Sequence, residues 1–236
     1  MGVTAPSHLG APSAMASQAK NRPSNLASAS ASWAIALRPC DTRSVPLLTT
    51  AAWLHEQVAL APVSPGDAGL AGLREAQDVK RDDLRAAARH ASAALAVTAD
   101  ATEAALRLAR ARTLLEEVDT ARELLLGLVG RTDLPTPHAY LARLMLGQLY
   151  ARAAEPARAE RLFREAGDLI PEGQAARVAL GQLLDTMGDR RGAAGVLGLN
   201  AGAERESGFI DPWVDYLLGA GTGPSLRQGL RDEVRR

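Results

Sequence analysis

The sequence predicts an all-α fold of stacked helical hairpins, on three observations. Alanine makes up about a fifth of the 236 residues and, with Leu, dominates an apolar share of 47%, whereas aromatics are only 3%. Ala and Leu are strong helix formers, and the β-branched and aromatic side chains that suit strands are scarce. Helical periodicity runs through the chain from about residue 46, and in the second half most helices are separated by only a few residues. Loops that short force consecutive helices to lie antiparallel. Finally, the segment "LGQLYARAAEPARAERLFREAGDLIP" (146–171) repeats its spacing 34 residues further on, the mark of a repeat architecture.

In chain order, residues 1–45 are rich in Ser, Ala and Pro with few large apolar groups. They are expected to form a disordered leader, because too little burial is on offer to offset the entropy of ordering. Residues 46–100 are a helical region. "PLLTTAAWLHEQVALAP" (46–62) is broken by "VSPGD" (63–67), and Leu84, Ala88, Ala91 and Leu95 then mark one helical face. Whether these helices are divergent repeat units is left open, since their Ala-rich pattern fixes no spacing. Helices are predicted over 101–118 and 119–130, with Asp119 as N-cap and Gly130 as stop, and then over 137–152, 155–169, 172–187 and 189–198.

The repeat runs as follows. From Gly147, steps of 3, 12, 16, 19 and 24 reach Tyr150, Ala159, Phe163, Ala166 and Pro171. From Gly181 the same steps reach Leu184, Ala193, Leu197, Asn200 and Arg205, the last two departing from the pattern. Gly147 and Ala159 are small where the two helices of a hairpin approach closely. Tyr150, Phe163 and Ala166 fill the seam to neighbouring hairpins. Pro171 stops one helix and can sit in the first turn of the next, where its missing N–H costs nothing. A third unit upstream would use Ala109, Ala121, Leu125 and Leu128, with about four extra residues in the loop before Tyr140.

This 34-residue helix–turn–helix pattern resembles the tetratricopeptide repeat family, closely over 140–173 and more weakly over 174–204. The resemblance covers residues 101–205 as the repeat region. It implies a short right-handed superhelical solenoid whose first helices line a concave groove that receives a peptide or helix of a protein partner. By the same count, the groove-facing places here are Arg110, Leu141, Leu144, Gln148, Val178, Gln182 and Asp185. Carboxylate-clamping members of the family use Lys, Arg and Asn at such places. The apolar and Gln residues here imply a mixed groove that takes apolar contacts and hydrogen-bonds a partner backbone. The alternative is that some of these leucines are covered internally, by the N-terminal helices or the leader.

Residues 206–236 are expected to form C-terminal capping helices. In "GFIDPWVDYLLGAG" (208–221), Asp211 is the N-cap, Pro212 the first helical residue, and Trp213, Tyr216 and Leu217 share a face. That face either covers the end of the array, which a solenoid needs, or docks a partner.

Other functional classes find little support. The 27 basic and 27 acidic residues balance, so there is no global positive field for nucleic acid. A single Cys40 excludes an internal disulfide and a multi-Cys zinc site. His8, His55, His90 and His138 form no metal-binding motif, and no nucleophile elbow or phosphate loop is present. The acidic pairs Asp82–Asp83 and Glu116–Glu117 read as solvated. No cofactor and no catalysis are expected. No apolar run reaches the 18 residues a membrane span needs. The cytoplasm is the expected compartment, and the Ser-diluted apolar stretch 26–37 behind Lys20 and Arg22 keeps export as the alternative. The expected function is noncovalent binding of a protein or peptide. The other readings are a structural or homo-oligomerising module, and an accessory subunit or fragment of a larger enzyme or secretion assembly.

Overall fold

Among the described residues, four hairpins stack one after another, and a short ninth helix lies across them. The structure, a computed structural model, describes residues 44–61, 69–198 and 209–218, all of which fall within one compact unit. The leader up to residue 43, the break at 63–67, Cys40, Asn200, Arg205 and the stretch after 218 lie outside these residues. The helices are α1 (Val45–Leu60), α2 (Gly69–Val97), α3 (Thr102–Leu114), α4 (Val118–Val129), α5 (Thr136–Arg152), α6 (Pro156–Leu169), α7 (Gln174–Thr186), α8 (Arg190–Gly198) and α9 (Pro212–Leu218). No strand occurs among the described residues, and no described helix is long and apolar enough to cross a membrane.

From α1 to α8 each helix packs on the next, so α1/α2, α3/α4, α5/α6 and α7/α8 form hairpins. The first helices also pack on one another, α1 on α3, α3 on α5 and α5 on α7, while no comparable packing joins the second helices. The first helices therefore crowd together on the inner side of the stack. The protein is an all-α helical repeat.

Its period is written in the turns. Inside the last three hairpins the backbone turns through Glu116 (φ 65°), Ala154 (φ 56°) and Gly188 (φ 87°). Around each, the same bonds recur. Glu117, Glu155 and Asp189 donate their amides at 2.9 Å to the carbonyls of Arg112, Tyr150 and Leu184. This is the helix ending in which a left-handed residue lets the next amide reach back five residues. Only one of the three uses glycine. That is why the expected helix over 101–118 in fact ends at Leu114: neither Gly nor Pro marks the stop. α4 then begins at Val118 behind Glu117, which places Asp119 within its first turn instead of at the N-cap. Gly130 does stand at the C-terminal boundary of α4.

The seams agree. A Cβ on Gly147 would lie 2.5 Å from Phe163 Cε1, and one on Gly181 would lie 2.8 Å from Leu197 Cγ. Both contacts join residues 16 apart on the two helices of one hairpin. In the upstream unit Ala109, Ala121 and Leu125 are wholly buried and Leu128 nearly so. The four extra residues of that unit are mainly helix: α5 starts 11 residues before Gly147, whereas α3 and α7 start seven before Ala109 and Gly181. α5 thus gains one turn at its start. Pro171 ends α6 but stands in the loop, two residues before Gly173, the N-cap of α7.

Upstream, residues 69–97 form one unbroken helix whose inward face includes buried Leu84, Ala88 and Ala91. Small Ala52, Ala87, Ala91, Ala104 and Ala111 line the seams among α1, α2 and α3, where the absence of bulk lets helices approach. Asp83 is not solvated as expected. It is buried and accepts or shares a hydrogen bond at 2.9 Å with His55 Nδ1, and the His55 ring stacks on His90 at 5.4 Å.

Candidate functional site

The inner face is occupied by the chain itself. α9 runs from the start of α7 across α5 and α3 to α1, held at both ends and in the middle.

At its start, Asp211 serves two helices. One carboxylate oxygen accepts the Trp213 amide at 2.8 Å, the N-cap bond that the Asp-Pro pair predicted. The other accepts the amides of Gln174 and Ala175 at 2.5 and 2.9 Å. These are the first two amides of α7, whose own N-cap is Gly173 and has no side chain to offer. Gly173 is dictated by its neighbour, since a Cβ there would lie 2.9 Å from the Tyr140 hydroxyl. That hydroxyl accepts the third amide, from Ala176, at 3.1 Å and lies 3.4 Å from both Asp211 oxygens. Burial pushes the Tyr140 phenol up to about 12, so it stays a donor as well. A carboxylate at a helix N-terminus also meets the positive end of the helix dipole.

In the middle, Trp213 and Tyr216 stack with ring centroids 5.9 Å apart. The Arg107 guanidinium lies 4.6 Å over the Tyr216 ring, and Arg110 lies 5.6 and 5.5 Å from Trp213 and Tyr216, within cation–π range. Arg107 is almost wholly buried, donates to Glu103 at 2.8 Å and stands 3.5 Å from Glu56, which Arg110 also approaches at 3.6 Å. Burial pushes the Glu56 carboxyl up to about 7, against the pull of Arg107 and Arg110 and with Glu103 adding to the rise. Glu56 Oε1, Arg110 Nη1 and the buried Tyr216 hydroxyl have no hydrogen-bond partner. At the far end the Leu217 carbonyl accepts Trp53 Nε1 at 3.3 Å and Gln57 Nε2 at 3.1 Å.

Of the residues that the sequence assigns to the groove, Arg110 stands under the α9 aromatics. Leu141 and Leu144 are buried in the same apolar cluster as Tyr216. Gln148 is half-buried on α5, while Val178, Gln182 and Asp185 are exposed on α7. The structure thus gathers the first three and leaves the α7 residues open. Covering does come from within the chain, but from the C-terminal side: α9 packs on the first helices and the start of α7, a different place from the end of the array. Trp53, Glu56, Gln57, Glu103, Arg107 and Tyr140 were missed as site residues. The i, i+4 spacing of Trp53 with Gln57 and of Glu103 with Arg107 was the available signal. Among the described residues, no group of three His, Cys, Asp or Glu is placed to hold a metal ion.

Fold and site together define an all-α helical-hairpin repeat protein whose first helices carry a short helix, α9. No family model and no curated protein matches the chain. The solved structure of MamA AMB-1 is similar to it at 17% identity and a TM-score of 0.40, over 67% of this chain and 96% of that one. The repeat stands instead on its own recurring turns and seams.

Proposed function

We propose that this protein is a non-catalytic recognition module that takes a short helix of a protein partner across its inner face. One observation carries the reading: the inner face already holds a helix, seated by contacts to its N-cap residue, its aromatic pair and its penultimate carbonyl. The arginines and carboxylates of the groove are engaged with each other and with aromatic rings, an arrangement suited to holding a ligand. The exposed α7 stripe of Val178, Gln182 and Asp185 extends the surface beyond α9.

The test is affinity capture from a source lysate with three full-length chains: wild type, Asp211→Ala, and Arg110→Ala with Gln182→Ala. Circular dichroism confirms that each is folded. A partner retained more strongly by Asp211→Ala and lost from the double variant supports the groove. A partner captured equally by all three refutes it.

A further inference from the structure

We infer that the helix recognised by this groove shares the chemistry of α9: an aspartate N-cap, aromatic side chains two and five residues later, and a free carbonyl one residue after the second aromatic. On this view, which rests on the recognition reading above, α9 is a resident stand-in that the partner helix displaces.

The groups that read these features belong to the repeat fold and not to α9. The Gln174 and Ala175 amides and the Tyr140 hydroxyl are fixed by the start of α7 and its approach to α5. They form a carboxylate seat on a 13-residue helix, which the Asp211 side chain fills. Arg107 and Arg110 are held from below by Glu56 and Glu103, so their faces are presented to a pair of rings. Trp53 and Gln57, one turn apart on α1, aim two donors at one acceptor. Seat, ring slot and donor pair lie in a line across four helices and match a helix of two turns, about 10 Å long.

α9 meets this frame imperfectly. The Tyr216 hydroxyl is buried among charged groups with nothing to bond, Glu56 Oε1 has no hydrogen-bond partner, and Arg110 Nη1 makes no hydrogen bond beyond its 3.6 Å ion pair to Glu56 Oε2. A buried polar group without a partner weakens the contact that buries it. A partner helix with Phe or Trp at the fifth place avoids the phenol's share of that loss. α9 keeps its place because it is tethered to the groove, and tethering raises its effective concentration.

The experiment uses a fluorescein-labelled peptide with the sequence of residues 209–218 and reads anisotropy against full-length chains. The Asp211→Ala, Trp213→Ala, Tyr216→Ala chain, with α9 undocked, is expected to bind it at least ~10-fold more tightly than wild type, as loss of a tethered competitor requires. Adding Arg110→Ala to that chain is expected to lower affinity severalfold, the scale of lost cation–π contacts, and Asp211→Ala in the peptide ~10-fold or more, the scale of a lost charged hydrogen bond. A Tyr216→Phe peptide binds at least as tightly as the parent. Asp211→Ala alone in the chain leaves the aromatic side chains in place. It gives the same ranking at smaller size, should the triple variant lose helicity. Equal binding of the parent and Asp211→Ala peptides, or none to either undocked chain, overturns the α9-like chemistry. In that event a groove-dependent partner from the capture experiment would leave the recognition reading standing. Peptide binding with no groove-dependent partner would overturn both.

Discussion

Gly147→Ala and Gly181→Ala place the same methyl group at equivalent positions of adjacent hairpins and should have opposite consequences. On Gly147 the new Cβ meets Cε1 and Cδ1 of Phe163 at 2.5 and 2.8 Å. Carbon atoms pack at about 3.5–4.0 Å, so the ring must retreat by about 1 Å. Phe163 is only 2% exposed and so cannot swing out into solvent. Overpacking of this kind costs up to ~3 kcal/mol, and exchanging Gly for Ala inside a helix returns up to ~1 kcal/mol. The net is a loss of about 2 kcal/mol, or ~4–8 °C in Tm for a chain of this size. On Gly181 the Cβ meets Leu197, which is 51% exposed and can rotate outward, so the propensity gain survives and stability holds or rises by up to ~1 kcal/mol. Urea unfolding followed by circular dichroism reads both. Adding Phe163→Leu to Gly147→Ala should recover stability relative to the sum of the single effects by about 1 kcal/mol, the signature of two residues in contact. Equal effects at the two glycines, or additive effects of Gly147→Ala and Phe163→Leu, would refute the close-approach argument.

Four further outcomes are expected. Ala154→Gly should raise the urea midpoint by the equivalent of ~0.5–1 kcal/mol, since Ala154 is exposed and holds a left-handed φ of 56°. Gly188→Ala at the equivalent turn should lower it by a similar ~1 kcal/mol. Tyr216→Phe should leave stability unchanged or raise it by ~1–3 kcal/mol, because it removes a buried unpaired hydroxyl and keeps the ring beneath Arg107; a clear loss in thermal unfolding would contradict this. For Glu56 the folded carboxyl lies above its unfolded value, so the folded state binds the proton more tightly. Its contribution to stability is therefore complete below pH ~4.5 and is lost as pH rises through ~7. Glu56→Gln should remove that component from a pH series of unfolding midpoints, and an unchanged slope would show that the carboxyl is not shifted upward.

The repeat was legible because its signals are local. A small residue on one helix and a large one 16 positions later meet inside a single hairpin, so Gly147–Phe163 and Gly181–Leu197 show in sequence what they do in space. The cap at Asp211 was legible for the same reason, as its bond to Trp213 spans two residues. Its second task joins it to an amide 37 residues away, and the Leu217 carbonyl meets Trp53 across 164. No periodicity reports contacts of that span. For Leu141 and Leu144 the count from Gly147 gives the direction of a side chain, not what lies above it, so the sequence leaves open whether they face a groove or are covered from within the chain. Asp83 and Glu56 are hidden differently: an acid on a helix looks solvated unless its partner is known, and His55 and Arg107 are supplied by other helices.

Asp211 is shared by two helix starts, and that gives the molecule a built-in reporter. Whenever α9 lifts away, the first two amides of α7 lose the carboxylate that shields them, because Gly173 cannot replace it. Their exchange with deuterated solvent then counts openings of the groove directly, residue by residue, in an unlabelled and unmutated chain. A ligand that merely replaces α9 and supplies its own carboxylate would keep these two amides slow. A ligand that displaces α9 without one would speed them, although both leave the groove full.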